Sequence, residues 1–325
     1  MCALLPIEIV PCDGPIIKVI GVGGGAGNAL NWMIEKPLHK HIEFIAVNTD
    51  SQALEKSLAP QKIQIGARLT GGRGAAAKPE VGRQAALEDC ERIQAAIGKA
   101  DMVIIVAGMG GGTGTGAAPV IARIAQELGA FTVPVVTHPF FFEGKVRQST
   151  AQEGIEKLLA LNLSLIVIHC DRTLPPLRKK CAYSDWGILL RVDQSLCTAV
   201  QALTDPILRV GPIGYDFADH KTILSIPGIA AMGMGKASGP SRAKEAATLA
   251  LERSFLGDHD IATAQGVFIL IIAETQYSVD AIAEAANSVH ERASAEANFA
   301  FTCFEDESLE DAMQVIVLAT GLRVS

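Results

Sequence analysis

The residues of this chain that can do chemistry fall into two kinds, glycines that expose backbone and a few spaced charges. Ala107-Gly108-Met109-Gly110-Gly111-Gly112-Thr113-Gly114-Thr115-Gly116 holds six glycines in ten residues. Such a backbone takes positive φ angles and comes close to a ligand. Successive bare N–H groups ahead of a helix form a positively polarised nest that suits a di- or triphosphate. A second glycine loop, Gly23-Gly24-Gly25-Ala26-Gly27-Asn28, lies near the start of the chain. Among the charges, Asp216 and Asp219 are three apart. On a helical turn they can face one way and polarise a water, or simply serve a helix N-terminus as a dipole pair. Glu143 and Arg147 are four apart. They read either as an ordinary surface pair or as a carboxylate for ribose hydroxyls and a guanidinium for phosphate. Asp193 interrupts an apolar helical pattern. It reads as an exposed helix carboxylate or as an acid accepting from both N1–H and N2–H₂ of guanine.

Stepping from these residues to their supports, each glycine loop needs a strand before it and a helix after it. Ile16-Ile17-Lys18-Val19-Ile20-Gly21-Val22 and Met102-Val103-Ile104-Ile105-Val106 are strand-like apolar runs. Ala29-Leu30-Asn31-Trp32-Met33-Ile34 and Ala117 to Ala125 carry apolar residues at helical spacing. Further strands are expected at Phe44-Ile45-Ala46-Val47, Phe131 to Val136 and Leu165-Ile166-Val167-Ile168. Pro79, after the Gly66 to Lys78 loop, begins a helix with proline in its first turn. Strand and helix alternate to about residue 180, which predicts a doubly wound, mostly parallel α/β sheet with helices on both faces. Ligands of such sheets sit at the carboxyl ends of the strands.

A long apolar helical pattern over 186–208, with Ile188, Leu189, Val192, Leu196, Val200 and Leu203, predicts a central helix buried between two domains. After it, strands are expected at 221–226, 230–235, 265–273, 297–303 and 313–319, with helices near 240–255 and 278–295. This reads as a smaller α+β domain. The domain reading is a lead-in at 1–15, a nucleotide-binding domain at 16–185, the helix at 186–208 and the α+β domain at 209–325.

Composition narrows the function classes. Of the 325 residues, 49% are hydrophobic and 19% charged, enough for a sizeable core and against extensive disorder. The net charge of −7 argues against a general nucleic-acid binder. The seven cysteines, at 2, 12, 90, 170, 181, 197 and 303, show neither metal-type pairing nor a disulfide spacing. With no signal peptide, a reduced cytoplasmic setting is expected. The Gly21-Val22-Gly23 start of a dinucleotide fingerprint ends on Ala26. Two glycine loops favour a nucleotide held by several loops over a nicotinamide-dependent oxidoreductase, the remote alternative.

Gly110-Gly111-Gly112-Thr113-Gly114-Thr115-Gly116 resembles the phosphate loop of the tubulin/FtsZ superfamily in its FtsZ form. Other segments resemble FtsZ in the family's order: Ile17 to Gly24, Asn48-Thr49-Asp50, Pro79-Glu80-Val81-Gly82-Arg83, Phe142-Glu143-Gly144 with Arg147, Asp216-Phe217-Ala218-Asp219, Met232-Gly233-Met234-Gly235 and Ala319-Thr320-Gly321. The resemblance implies a GTPase that polymerises head-to-tail into filaments for cell division or a related process. It implies that Gly24, Gly25, Ala26, Gly27 and Asn28, with Gly111, Gly112, Thr113 and Gly114, hold GTP or GDP. Glu143 would meet the ribose, Arg147 the phosphates and Asp193 the guanine. Mg²⁺ would bind mainly through the phosphates, with no metal ligands in the protein. The loop bearing Asp216 and Asp219 would enter the pocket of the next subunit and orient the attacking water there.

Several residues depart from the family pattern. Gly214 stands where Asn is usual, Cys170 where Asn precedes Asp171, and Leu189 where an aromatic packs near the base. Ala76 and Lys78 alter the loop that senses the γ-phosphate. These departures support an alternative, a poorly hydrolysing subunit that co-assembles with or regulates a full-length FtsZ. The sequence ends at Arg323-Val324-Ser325, short of the linker and adaptor-binding peptide of a typical family member. Either the tail has been trimmed from this sequence or the protein lacks it, and in the second case membrane attachment is expected only through adaptors or partners.

Overall fold

The computed structural model describes residues 14–36, 41–173, 185–209, 211–252, 260–274 and 277–322, with the side chains of 185–189 excluded. Most of the 1–15 lead-in, Cys2, Cys12, Cys181, the Leu189 side chain and the Arg323-Val324-Ser325 end thus lie outside the described residues. In the first half, β1 (Ile17–Val22) leads to α1 (Gly24–Glu35) and β2 (Ile42–Asn48) to α2 (Ser51–Glu55). β3 (Gln61–Gln64) leads to α3 (Ala67–Thr70), α4 (Pro79–Glu88) and α5 (Cys90–Ile97). Then come β4 (Met102–Gly108), α6 (Thr113–Glu127), β5 (Phe131–His138), α7 (Lys145–Leu159), β6 (Ser164–His169) and the long α8 (Asp185–Leu208). The second half carries α9 (Phe217–Leu224), β7 (Gly228–Ser238), α10 (Arg242–Glu252), β8 (Gly266–Ala273), α11 (Val279–His290), β9 (Asn298–Glu305) and β10 (Ala312–Leu322).

All ten strands join one sheet in the order β3-β2-β1-β4-β5-β6-β7-β10-β8-β9. From β3 to β7 every pairing is parallel. β10 runs antiparallel to both β7 and β8. The alternation of side chains along a strand explains the two layers. Val19, Ile104, Val135 and Ile166 face α1 and α8, whose Leu30, Met33, Leu196, Val200 and Leu203 close over them. Ile20, Ile105, Val136 and Val167 face the other way, under Ala85, Ile93, Ile121 and Ile155 of α4 to α7. Strands covered on both sides read as unbroken apolar runs, as these do. Each such fully buried aliphatic side chain stabilises the fold by about 1.5–3 kcal/mol.

The same buried layer carries α8 across both halves, since Val192, Leu196 and Leu203 share it with Val135 of β5 and with Leu270 and Ile316 of β8 and β10. One expected strand is wrong. Residues 221–224 of the 221–226 candidate lie in α9, a helix and not a strand. Asp216 caps its first turn, and His220, Ile223 and Leu224 are buried at spacings of three and four, the helical period. The remaining strands expected in the second half correspond to β7, β8, β9 and β10. Among the described residues no helix is long and apolar enough to cross a membrane.

Candidate functional site

The strand order reverses direction between β1 and β4, the crevice where open α/β sheets bind ligands. Both glycine loops leave the carboxyl ends of these two strands. α1 starts at Gly24 and α6 at Thr113, each preceded by a glycine N-cap without a side-chain cap. The first-turn N–H groups of both helices therefore have no intrahelical partner. Two dipole ends with open donors, side by side, favour an anion. The turn after β2 is tied to the central loop by Thr49 and Thr113, whose Oγ1 atoms are hydrogen-bonded at 2.7 Å. A cleft of about 290 Å³ lies beside them, lined by Gly23, Gly24, Gly27, Asn28, Asn48 and Asp50 among others. Gly25 is exposed, whereas the Ala26 methyl is buried in the core, so only the Ala26 backbone faces this chemistry.

Close approaches require glycine at 110, 112, 114 and 116 of the central loop, and those at Gly110 and Gly112 bring other segments to it. Gly110 has φ +92°, and a methyl there would lie 2.7 Å from Arg147 Cγ. Arg147 is thereby brought against the phosphate loop. A methyl at Gly112 would lie 2.8 Å from Ala75 Cβ and 2.9 Å from the Lys78 backbone nitrogen. The 72–78 segment thus covers the loop from the other side. It does so through an uncommon backbone, with Ala76 at φ +47° and Ala77 at φ +55°. Lys78 is the N-cap of α4 and offers no side-chain cap. Gly111 lies at the tip of the loop, half-buried, between these approaches.

Glu143 and Arg147 form an ion pair, Arg147 Nε to Glu143 Oε2 at 3.1 Å. Glu143 Oε1 also accepts the backbone N–H of Phe140 at 2.9 Å. The neighbouring strand end is joined to this turn by Asp171, whose carboxylate accepts the Phe141 N–H at 3.1 Å and 3.2 Å. Beside it Cys170 is buried, and burial, with the Glu143 and Asp171 charges adding to it, pushes its thiol up to about 12. That thiol is neutral at any ordinary pH. Cys170, Cys197 and Cys303 are buried free thiols and Cys90 a half-buried one. Asp193 is half-buried on α8, which packs on α1, the helix that bears Asn28. Burial pushes its carboxyl up to about 6.

Asp216 and Asp219 are not part of this cluster. Asp216 Oδ1 accepts the backbone N–H groups of Ala218 and Asp219, both at 2.8 Å. Asp219 Oδ2 accepts the N–H of Asp216 at 3.2 Å. The pair is a reciprocal capping box, and among the described residues it leaves each carboxylate one oxygen without a hydrogen bond. Both residues are exposed. Their neighbour Phe217 packs against Phe131, the first residue of β5, whereas the phosphate loops lie beyond its last. Eight residues of strand at roughly 3.3 Å each separate the two ends by about 25 Å. An aspartate reaches only a few ångströms.

Thr49 and Asp171 emerge here as organising residues that the sequence reading gave no role. Each is a polar residue near the end of an apolar strand, but the partner that gives it its role lies far along the chain.

The profile of the Tubulin/FtsZ family, GTPase domain, matches residues 16–174. That of the FtsZ family, C-terminal domain, matches residues 228–323. The cell division protein FtsZ of Pseudomonas aeruginosa is 45% identical over 307 residues, which is 94% of this chain and 77% of that protein. Among solved structures, an empty FtsZ dimer from M. jannaschii superposes with a TM-score of 0.87 at 37% identity, covering 94% of this chain and 88% of that one. CetZ2 from Haloferax volcanii, in a GTPγS-bound protofilament, superposes with a TM-score of 0.80, covering 95% and 94%. At 20% identity that second likeness speaks for the fold alone.

Proposed function

This chain belongs to the FtsZ family of tubulin-like GTPases, and from that premise we propose that its catalytic site is assembled from the two opposite ends of successive subunits. It is a GTP-binding, GTP-hydrolysing homologue of a cell-division protein, and the oxidoreductase alternative is not favoured. In the reading we propose, the N-termini of α1 and α6 hold the phosphates through Gly24, Gly25, Ala26, Gly27, Asn28, Gly111, Gly112, Thr113 and Gly114. Arg147 adds a guanidinium to them, Glu143 meets the ribose and Asp193 the guanine. Mg²⁺ arrives with the substrate, carried on the phosphates. Asp216 and Asp219 of the next subunit orient the water for in-line attack on the γ-phosphorus. The bond to the bridging oxygen breaks, and the products are GDP and phosphate.

One observation carries this reading: the acids lie about a strand length from the phosphate loops of their own subunit. A contact between unlike ends does not close, so it propagates as a filament. One buried cluster made only of residues from the first half and another made only of residues from the second support a division into 16–185, 186–208 and 209–325. Cytoplasmic residence, co-assembly with a full-length FtsZ and membrane attachment through adaptors belong to the same reading.

Mixing two defective variants tests it. Thr113→Arg fills the phosphate nest but keeps its acids, and Asp219→Ala binds GTP but lacks one acid. Each alone should hydrolyse GTP poorly, and the mixture should recover a clear part of wild-type turnover. A mixture no more active than the sum of its components would refute shared sites.

A further inference from the structure

The two acids are flanked by a pair that the reaction, as read above, does not use. Tyr215 directly precedes Asp216, and His220 directly follows Asp219. The Tyr215 hydroxyl and His220 Nδ1 are hydrogen-bonded at 3.0 Å. The His220 side chain is fully buried, and its Nε2 has no hydrogen-bond partner among the described residues. Both rings pack on Phe268 of β8. Tyr215 lies over it at 4.7 Å between centroids, and His220 meets it edge-on at 6.0 Å. Burial pushes the His220 imidazolium down to about 3, so the ring is neutral. Whichever partner donates in the pair, one buried ring nitrogen is left over.

A hydrocarbon side chain at 220 would avoid that orphaned nitrogen and its desolvation penalty. Local rules broken without local gain are found where function requires them. The gain is visible in the geometry. The capping box fixes the two carboxylates relative to α9, but it does not fix α9 relative to the sheet. The Tyr215–His220 bond spans the capping box from outside, joining the loop before it to the helix after it, and anchors both to Phe268.

We propose that Tyr215 and His220 are positioning residues for GTP hydrolysis, clamping the acid-bearing turn to β8 so that Asp216 and Asp219 are presented rigidly to the next subunit. This rests on the assignment of those acids to hydrolysis. The clamp acts on the placement of the attacking water, not on nucleotide binding, which takes place at the far end of the subunit.

The test compares Tyr215→Phe, His220→Leu, His220→Asn and Asp219→Ala, each in the full chain. GTP affinity, the concentration at which the protein pellets, thermal stability and turnover of assembled protein are measured. Tyr215→Phe keeps the ring on Phe268 and should lose about tenfold in kcat, with GTP affinity and pelleting threshold unchanged. His220→Leu should lose as much while its melting temperature stays level or rises, because it removes the orphaned nitrogen. Rate and stability moving apart is a result that a purely structural pair does not give. His220→Asn, which keeps a polar atom near the Nδ1 position, should restore most of the rate. Wild-type turnover in both Tyr215→Phe and His220→Leu, with Asp219→Ala inactive, would overturn the clamp alone. Wild-type turnover in Asp219→Ala would overturn the assignment of the acids, and the clamp with it.

Discussion

Phe217 meets Phe131 edge-on, with ring centroids 6.4 Å apart and ring planes at 82°. Phe131 opens β5, and the phosphate loops lie past the other end of that strand. One aromatic contact therefore anchors the acidic turn at the end of the sheet opposite the phosphate loops. A filament built on this plan has one complete site per contact, so its terminal subunit always holds an incomplete one. Turnover becomes a property of contacts between subunits.

The acidic turn itself leaves room for a side chain. Gly214 is exposed, and a methyl placed there would meet nothing within 4 Å. Its backbone is outside the positive-φ region that would exclude other residues. Gly214→Asn should fold normally and add a polar group beside the water, raising turnover of assembled protein by about tenfold. Steady-state hydrolysis above the pelleting threshold measures this. An unchanged or lower rate would separate Gly214 from the hydrolysis step.

Guanine recognition should depend on pH through Asp193. With its carboxyl raised to about 6 by burial, this group is ionised above that pH and protonated below it. Only the ionised form accepts from both N1–H and N2–H₂ of guanine. Affinity for GTP over ITP, which lacks the 2-amino group, should be highest above pH 7 and shrink as pH falls through about 6. Phosphate titration affects both nucleotides alike, so the ratio isolates the base. Equilibrium binding of each nucleotide from pH 5 to 8 checks it, and a constant ratio would remove Asp193 from the base site.

Lys78 sits at the N-cap of α4 in an extended conformation, φ −104° and ψ 106°, which suits a cap, yet it provides no capping acceptor. Its charge also opposes the positive end of the helix dipole. Lys78→Asn supplies the acceptor and removes the charge, so it should stabilise the nucleotide-free protein by about 1 kcal/mol. That corresponds to a rise of roughly 2 °C in Tm for a chain of this size. Differential scanning calorimetry without nucleotide checks this, and an equal or lower Tm would contradict it.

Much of the fold is legible in the sequence because parallel strands covered on both faces must be apolar throughout. Met102 to Val106 and Leu165 to Ile168 announce themselves on that ground alone. The glycine loops are equally plain, and in the central one a methyl at Gly110, Gly112, Gly114 or Gly116 would lie within 3 Å of its neighbours. What fails is local and explicable. The 221–226 segment has the composition of a strand, and only the Asp216 cap and the burial of His220, Ile223 and Leu224 decide for a helix. The roles of Thr49 and Asp171 are invisible because each depends on a partner far along the chain, Thr113 in one case and Phe141 in the other. The distance between the acids and the phosphate loops is not encoded locally at all. It follows from a ten-strand sheet in which α9 returns to the start of β5.

The central claim is that one subunit cannot hydrolyse GTP alone. Turnover per subunit, measured against protein concentration with Mg²⁺ while the same samples are pelleted, tests it most directly. The account predicts negligible turnover below a threshold concentration, then a rise in specific activity that tracks the pelleted fraction. Turnover per subunit that stays constant from far below the threshold to far above it would contradict the account.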